Sequence, residues 1–292
     1  MQRRALGRDV GRTARMALAL ALLACTYVGI VVGCAFLIEY RPRYEVWWVV
    51  AVVAIGTSLA TRYRSGGRAI IQALGATVAP AKPERGLRGI VERLAALADV
   101  RPPEVVVADT DSMNALAVGL RRRRSTLVVT RGLLEALDGA ELEAVLAHEI
   151  SHLANRNAAV MTAVSAPRTL GEVVVAGAGE GRGLLWLVGW PLGIIPLALG
   201  TALTLMMSRY REFAADRGSA LLTGAPEQLM SALEKLSGHA LEIPHDDLRA
   251  ANAFCIVSTE ATRFALFSDH PPLEQRLDAL AEIARELGKQ VS

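Results

Sequence analysis

Residues 148–152 read His148-Glu149-Ile150-Ser151-His152. Two histidines at i and i+4 of a helix project from one face about a turn apart, as two ligands of a tetrahedral zinc must. The glutamate beside the first histidine can reach a water at the open coordination position and take its proton, which is how a metallopeptidase attacks a polarised amide. The flanking sequence supplies the helix. Asp138 with Glu141 three residues later is a capping-box signature, and Leu142, Val145, Leu146, Ile150 and Leu153 keep helical spacing, so a helix is expected over residues 139–155. The competing reading is a surface helix that happens to bear two of the chain's 5 histidines.

A catalytic zinc needs a third protein ligand. Downstream, Ser208-Arg209-Tyr210-Arg211-Glu212-Phe213-Ala214-Ala215-Asp216 offers Glu212 and Asp216 at i and i+4, on one helical face. Glu212 is the better ligand, with Asp216 placed to accept a hydrogen bond from a ligand imidazole and fix its tautomer. Asn155 is expected with Asp216 behind the ligands. The alternative is a solvated acidic face balanced by Arg209, Arg211 and Arg217.

Working outward, the chain of 292 residues is 52% hydrophobic and 21% charged, which excludes disordered, collagenous and disulfide-scaffold classes. A net charge of +3 does not argue for nucleic acid, and 3 cysteines form neither a disulfide framework nor a metal knuckle. The apolar residues are unevenly spread. Residues 16–38 carry no charge, long enough for the about 20 residues that cross a bilayer, and follow Arg3, Arg4, Arg8, Arg12 and Arg15. A signal peptide is the competing reading, but the run is too long and lacks a small-residue cleavage site. Residues 46–60 form a second run with Tyr44, Trp47, Trp48 and Tyr63 at its edges, where interfacial aromatics belong. The outer flanks are the more basic, Arg62, Arg64 and Arg68 following the second run, which places them and the active site in the cytoplasm.

Beyond the hairpin, Leu87, Ile90, Val91, Leu94 and Leu97 predict an amphipathic helix over 86–98. Val105-Val106-Val107 and Thr126-Leu127-Val128-Val129 predict a small antiparallel β-sheet joined through an arginine-rich turn, Arg121 to Arg124. A third apolar run, 184–207, contains Pro191 and Pro196, and the stretch 158–179 before it is interrupted by Arg168 and Glu172. Since His148 and Glu212 must meet at one metal, the chain between them crosses the membrane an even number of times. Two weak spans joined near residues 180–183 are preferred to a re-entrant loop folding at the prolines.

HEISHLANR at 148–156 with SRYREFAADRGSA at 208–220 resembles the HtpX-type membrane zinc protease family, related to the CaaX prenyl proteases, whose pattern is HExxH followed by ExxxD. The resemblance extends through most of residues 16–280. It implies gluzincin chemistry, with one Zn2+ per chain held by His148, His152 and Glu212, and with Glu149 catalytic. Asn114-Ala115-Leu116-Ala117-Val118-Gly119 is similar to the family's NAxAxG stretch, which would put Asn114 and Ala115 beside the substrate cleft. Ser268-Asp269-His270-Pro271-Pro272 is similar to its late HPP motif, and His270 or Arg276 would stabilise the oxyanion.

The expected molecule is a mainly α integral membrane protein carrying a zincin-like protease domain interrupted by a membrane insert. Its parts are a cytoplasmic tail (1–15), a transmembrane hairpin (16–61), the first half of the protease domain with the HExxH helix (62–157), the membrane insert (158–207) and the second half with the third ligand (208–292). By resemblance its substrates are misfolded or surplus membrane and cytosolic proteins, a quality-control role in the cytoplasmic membrane with no nucleic-acid partner. The alternatives are a CaaX-type processing protease, for which the chain looks too short, a non-catalytic scaffold, which would have lost a ligand or the base, and a structural zinc site closed by His239, His245 or Cys255, none at convincing spacing.

Overall fold

The computed structural model describes residue 21 and residues 85–121, 124–155, 157–180, 184–237 and 271–291. Apart from residue 21, the expected hairpin over 16–61 lies outside the described residues, as do His270 and the alternative ligands His239, His245 and Cys255. In chain order the elements are α1 (Arg85–Leu97), β1 (Glu104–Ala108), β2 (Ala115–Arg121), β3 (Arg124–Thr130), α2 (Arg131–Ala136), α3 (Gly139–Ala154), α4 (Asn157–Glu180), α5 (Leu184–Thr223), α6 (Pro226–Ser237) and α7 (Leu273–Val291). Contacts divide the chain into two compact units, Met1–Tyr63 with Val160–Met207, and Arg64–Ala159 with Ser208–Ser292.

In the second unit, α1 turns Leu87, Val91 and Leu94 into the core, the face that its helical spacing dictates. It ends where Val100 N–H reaches back to the Ala95 carbonyl at 3.0 Å and Asp99 takes a left-handed φ of 54°. The core continues through Leu127, Val129, Leu133, Val145, Leu146 and Ile150 to Leu229 and Leu233 of α6 and Leu280 and Ile283 of α7. Burying each of these larger aliphatic side chains stabilises the fold by about 1.5–3 kcal/mol, and together they clamp α3 from several sides. The end of α5 is set by Gly224, at φ 71°, whose N–H bonds the Ala220 carbonyl at 2.9 Å; Pro226 then opens α6.

The sheet is mixed rather than antiparallel, with strand order β1-β3-β2. β1 runs parallel to β3, pairing Val106 with Val128, and β2 runs antiparallel to β3, pairing Leu116 with Val128. The expectation failed because it passed from one β-branched run to the next and missed the strand between them. Ala-Leu-Ala-Val-Gly has little β-propensity, and only pairing with β3 makes it a strand. One reversal into β2 and a second into β3 restore the original direction, so β1 and β3 emerge parallel. β2 is thereby left on the edge of the described sheet.

In the first unit the insert is a pair of helices. α5 continues through Pro191 and Pro196, so the chain does not fold back at the prolines as the re-entrant alternative required. α4 and α5 approach closely through glycine. A Cβ on Gly171 would collide with the Leu197 backbone, one on Gly193 would lie 2.7 Å from Val175 Cγ2, and one on Gly200 would lie 2.7 Å from Arg168 Cα. These three pairs place the two helices antiparallel. Among the described residues no helix is long and apolar enough to cross a membrane.

Candidate metal centre

The site is built on α3, and its start follows the sequence. Asp138 accepts from the N–H groups of Ala140 and Glu141, both at 2.9 Å, and Glu141 returns a carboxylate oxygen to the Asp138 N–H at 3.0 Å. Two turns on, His148 and Glu149 are 1% and 3% exposed, while the His152 side chain keeps 16%. The Nε2 atoms of His148 and His152 stand 3.1 Å apart.

α5 brings Glu212 to the same point. Its Oε2 lies 3.6 Å from His148 Nε2 and its Oε1 3.7 Å from His152 Nε2, and the side chain is 1% exposed. Ligand atoms of a tetrahedral zinc, at about 2.0–2.1 Å from the metal, stand about 3.3 Å from one another. In the triangle formed by His148, His152 and Glu212, the imidazole nitrogens stand 3.1 Å apart and each faces a different oxygen of Glu212, at 3.6 and 3.7 Å, near that spacing; two imidazoles and one carboxylate are a donor set that suits zinc. His148, Glu149 and His152 also present donor atoms within 4.8 Å of one another.

The neighbours of the triangle orient and charge it. His148 Nδ1 lies 2.9 Å from Asp216 Oδ1, the carboxylate–imidazole pairing that directs Nε2 toward a metal. Asp216 in turn receives a two-pronged pair from Arg276, Nε to Oδ2 at 2.8 Å and Nη2 to Oδ1 at 2.6 Å. Arg211 donates Nε and Nη2 to Glu212 Oε1 at 3.0 and 2.9 Å. On the sheet side, the Ala117 N–H donates to Glu149 Oε2 at 2.8 Å.

Burial works against every one of these charges. It pushes His148 down, but Asp216 and Glu212 outweigh it and lift the imidazole to about 9. The same field that favours a proton on His148 favours a metal cation there. Burial pushes Asp216 up, yet the Arg276 guanidinium and His148 hold it below the ordinary carboxylate range. His152 is driven well below its ordinary value by burial, only partly opposed by Glu212, so it offers a neutral imidazole. Burial lifts the Glu149 carboxyl to about 7, with His148 opposing.

Of the residues expected from sequence, the fold brings His148, Glu149, His152, Glu212, Asp216 and Arg276 together. Arg276 is not an open cleft residue: it is 2% exposed, with its guanidinium engaged by Asp216. Asn155 ends α3 on the exposed surface, donating its N–H to the Ser151 carbonyl at 3.0 Å. The Ala115 side chain is wholly buried in the core rather than lining a cleft. Asn114 is 3% exposed and locked to Thr130, its N–H on the Thr130 hydroxyl and its carbonyl accepting from that hydroxyl, both at 2.8 Å. Sequence reasoning missed Ala117, whose contribution is a backbone N–H that no side-chain pattern announces. It also treated Arg211 only as surface charge, because adjacent helical residues do not ordinarily face each other.

Residues 81–284 match peptidase family M48. A protease HtpX homologue of Moorella thermoacetica is 38% identical and aligns over 98% of both chains. A second homologue, from Streptomyces coelicolor, is 36% identical over 95% of this chain and 94% of that protein. Among solved structures, the crystal structure of S. mikatae Ste24p superposes with a TM-score of 0.50 at 20% identity, covering 93% of this chain and 66% of that one, a likeness of fold alone. An HExxH helix and an ExxxD helix meeting at one buried triangle, within a sequence aligned nearly end to end with HtpX homologues, show that the chain belongs to peptidase family M48 and is a metallopeptidase of the HtpX type.

Proposed function

We propose that this chain is a membrane-associated zinc endopeptidase in which His148, His152 and Glu212 hold the metal, Glu149 is the general base and Asp216 fixes the His148 tautomer. The observation that carries the reading is the meeting of two imidazole nitrogens 3.1 Å apart with the Glu212 carboxylate, one oxygen of which lies 3.6 Å from His148 and the other 3.7 Å from His152. A zinc ion bound there supplies Lewis acidity, polarising the scissile carbonyl and acidifying a water. Glu149 takes the proton of the attacking water and delivers it to the departing amine nitrogen, completing hydrolysis with the carboxylate regenerated. The Ala117 N–H, on the edge strand, holds Glu149 while it does so. An extended substrate is expected to lie along β2, the edge strand whose Ala117 N–H reaches Glu149.

The same reading places the protein in the cytoplasmic membrane with its active site on the cytoplasmic side, acting on misfolded or surplus proteins. Its support is the uncharged runs 16–38 and 46–60 with their basic flanks, and the apolar side of α5 left open at Ile194, Ile195 and Leu199, which are 41%, 59% and 41% exposed.

The decisive experiment measures zinc per chain and casein cleavage on protein purified in detergent. Wild type is expected to carry one zinc and cleave. Glu149→Gln is expected to keep the metal and lose at least about 100-fold in rate, since general-base catalysis contributes typically 10²–10⁴-fold. His148→Ala and His152→Ala are expected to lose the metal itself. Retained cleavage by Glu149→Gln overturns the mechanism, and recovery of the protein from membranes by carbonate without detergent overturns the membrane assignment.

A further inference from the structure

The two helices that carry the metal-binding side chains cross at a contact with no role in the chemistry described above. Gly218 of α5 faces Ser151 of α3. A Cβ on Gly218 would collide with Ser151 Oγ and lie 2.7 Å from Ser151 Cβ, so rotation of the serine hydroxyl cannot relieve the clash. Ser151 is itself 4% exposed, its hydroxyl donating to the Ala147 carbonyl at 2.8 Å. One residue further along α5, Ser219 is wholly buried and its hydroxyl donates across the crossing to the Ala144 carbonyl at 2.6 Å. The first contact fixes how close the helices come, and the second fixes their register along the axes.

We propose that Gly218 and Ser219 are positioning residues of the metal centre, a clasp that sets the separation and register of the HExxH and ExxxD helices so that Glu212 closes the triangle with His148 and His152. The inference rests on the proposed ligand set. Its physical basis is a mismatch of tolerances. Carbon atoms in ordinary contact stand about 3.5–4.0 Å apart, so a methyl group at residue 218 drives the helices apart by about 1 Å. Metal–ligand distances tolerate only about 0.2 Å. The carboxylate sits on one helix and both imidazoles on the other, so a displacement that core packing absorbs by small shifts opens the triangle directly. Asp216 stands between Glu212 and Gly218 on α5, and its 2.9 Å contact with His148 Nδ1 moves with them.

The test compares wild type, Gly218→Ala, Ser219→Ala, Ser151→Gly and the double variant Ser151→Gly/Gly218→Ala, as full chains in detergent. Zinc affinity is measured by competition with a chelator, the visible absorption of the cobalt-loaded protein reports coordination geometry, and thermal unfolding is followed on the metal-free protein. Gly89→Ala, where a Cβ meets nothing within 4 Å, is the control for adding a methyl group. The expected result is zinc affinity at least about tenfold weaker in Gly218→Ala with an altered cobalt spectrum, a smaller loss in Ser219→Ala, and no change in Gly89→Ala. The double variant is expected to recover affinity and spectrum, because removing Ser151 Cβ and Oγ restores the space. Should Gly218→Ala not fold, Ser219→Ala carries the test alone, since it removes one hydroxyl and adds nothing. Metal-free unfolding temperatures that fall while zinc affinity and the cobalt spectrum stay at wild-type values in Gly218→Ala and Ser219→Ala reduce the contact to ordinary packing and overturn the clasp. A wild-type protein that binds neither zinc nor cobalt overturns the ligand assignment, and the clasp with it.

Discussion

Asp216 serves two partners with one carboxylate, accepting the Arg276 fork on one side and facing His148 Nδ1 on the other, all at 1–3% side-chain exposure. Burying that many charges is tolerable only because each has an opposite within contact distance. Arg276→Met is therefore expected to destabilise the fold by up to about 3–5 kcal/mol, by removing the two-pronged partner of the buried Asp216 and leaving it to His148, and thermal unfolding of the purified variant checks it. Glu141 offers a milder case away from the metal centre. Burial raises its pKa, but the Lys235 ammonium, the Ser231 hydroxyl and the Asp138 N–H outweigh burial and hold it below its ordinary value. A depressed carboxylate contributes stability above its unfolded pKa of about 4.3 and loses it as pH falls through the folded value. Glu141→Gln should accordingly unfold at lower temperature than wild type near neutral pH, and the gap should narrow as pH drops below about 4; a constant gap across that range would contradict the assignment.

At the scale of elements, α3 depends on its first turn. The Asp138–Glu141 box satisfies N–H groups that would otherwise be unpaired at the start of the helix that carries His148, Glu149 and His152. Asp138→Ala is expected to cost about 1 kcal/mol, seen as a lower unfolding temperature, with zinc content unchanged because the proposed ligands lie more than two turns away. β2 shows the opposite dependence. Its sequence is poor in β-branched residues, and what makes it a strand is its antiparallel pairing with β3 from Ala115 opposite Val129 to Val118 opposite Thr126. The Ala117 N–H of this strand donates to Glu149 Oε2 at 2.8 Å, so an element with little intrinsic preference places a backbone donor beside the proposed base.

At the scale of the whole molecule, the candidate metal centre joins three separated parts of the chain, α3, α5 and the C-terminal α7. A ligand bound by the native state alone stabilises it by mass action, about 2.7 kcal/mol when present at 100 times its dissociation constant. Zinc is expected to raise the unfolding temperature of chelator-treated protein in a concentration-dependent way, and to do so far less in His148→Ala; an equal rise in both would place the stabilising metal elsewhere. Much of this centre was legible in the sequence because its information is local. The i, i+4 spacing of His148 with His152 and of Glu212 with Asp216 survives any arrangement of the helices, and the capping box needs only the four residues from Asp138 to Glu141. The sheet's direction, the burial of Ala115, the Arg276–Asp216 pair and the closeness of Gly218 to Ser151 were not legible. Each is a contact between residues far apart in the chain, decided by which surfaces the core brings together rather than by any residue's own preference. The sequence by itself determined which side chains have the chemistry and local spacing to bind a metal; the tertiary structure decided which of them meet, since coordination depends on distances that only packing sets.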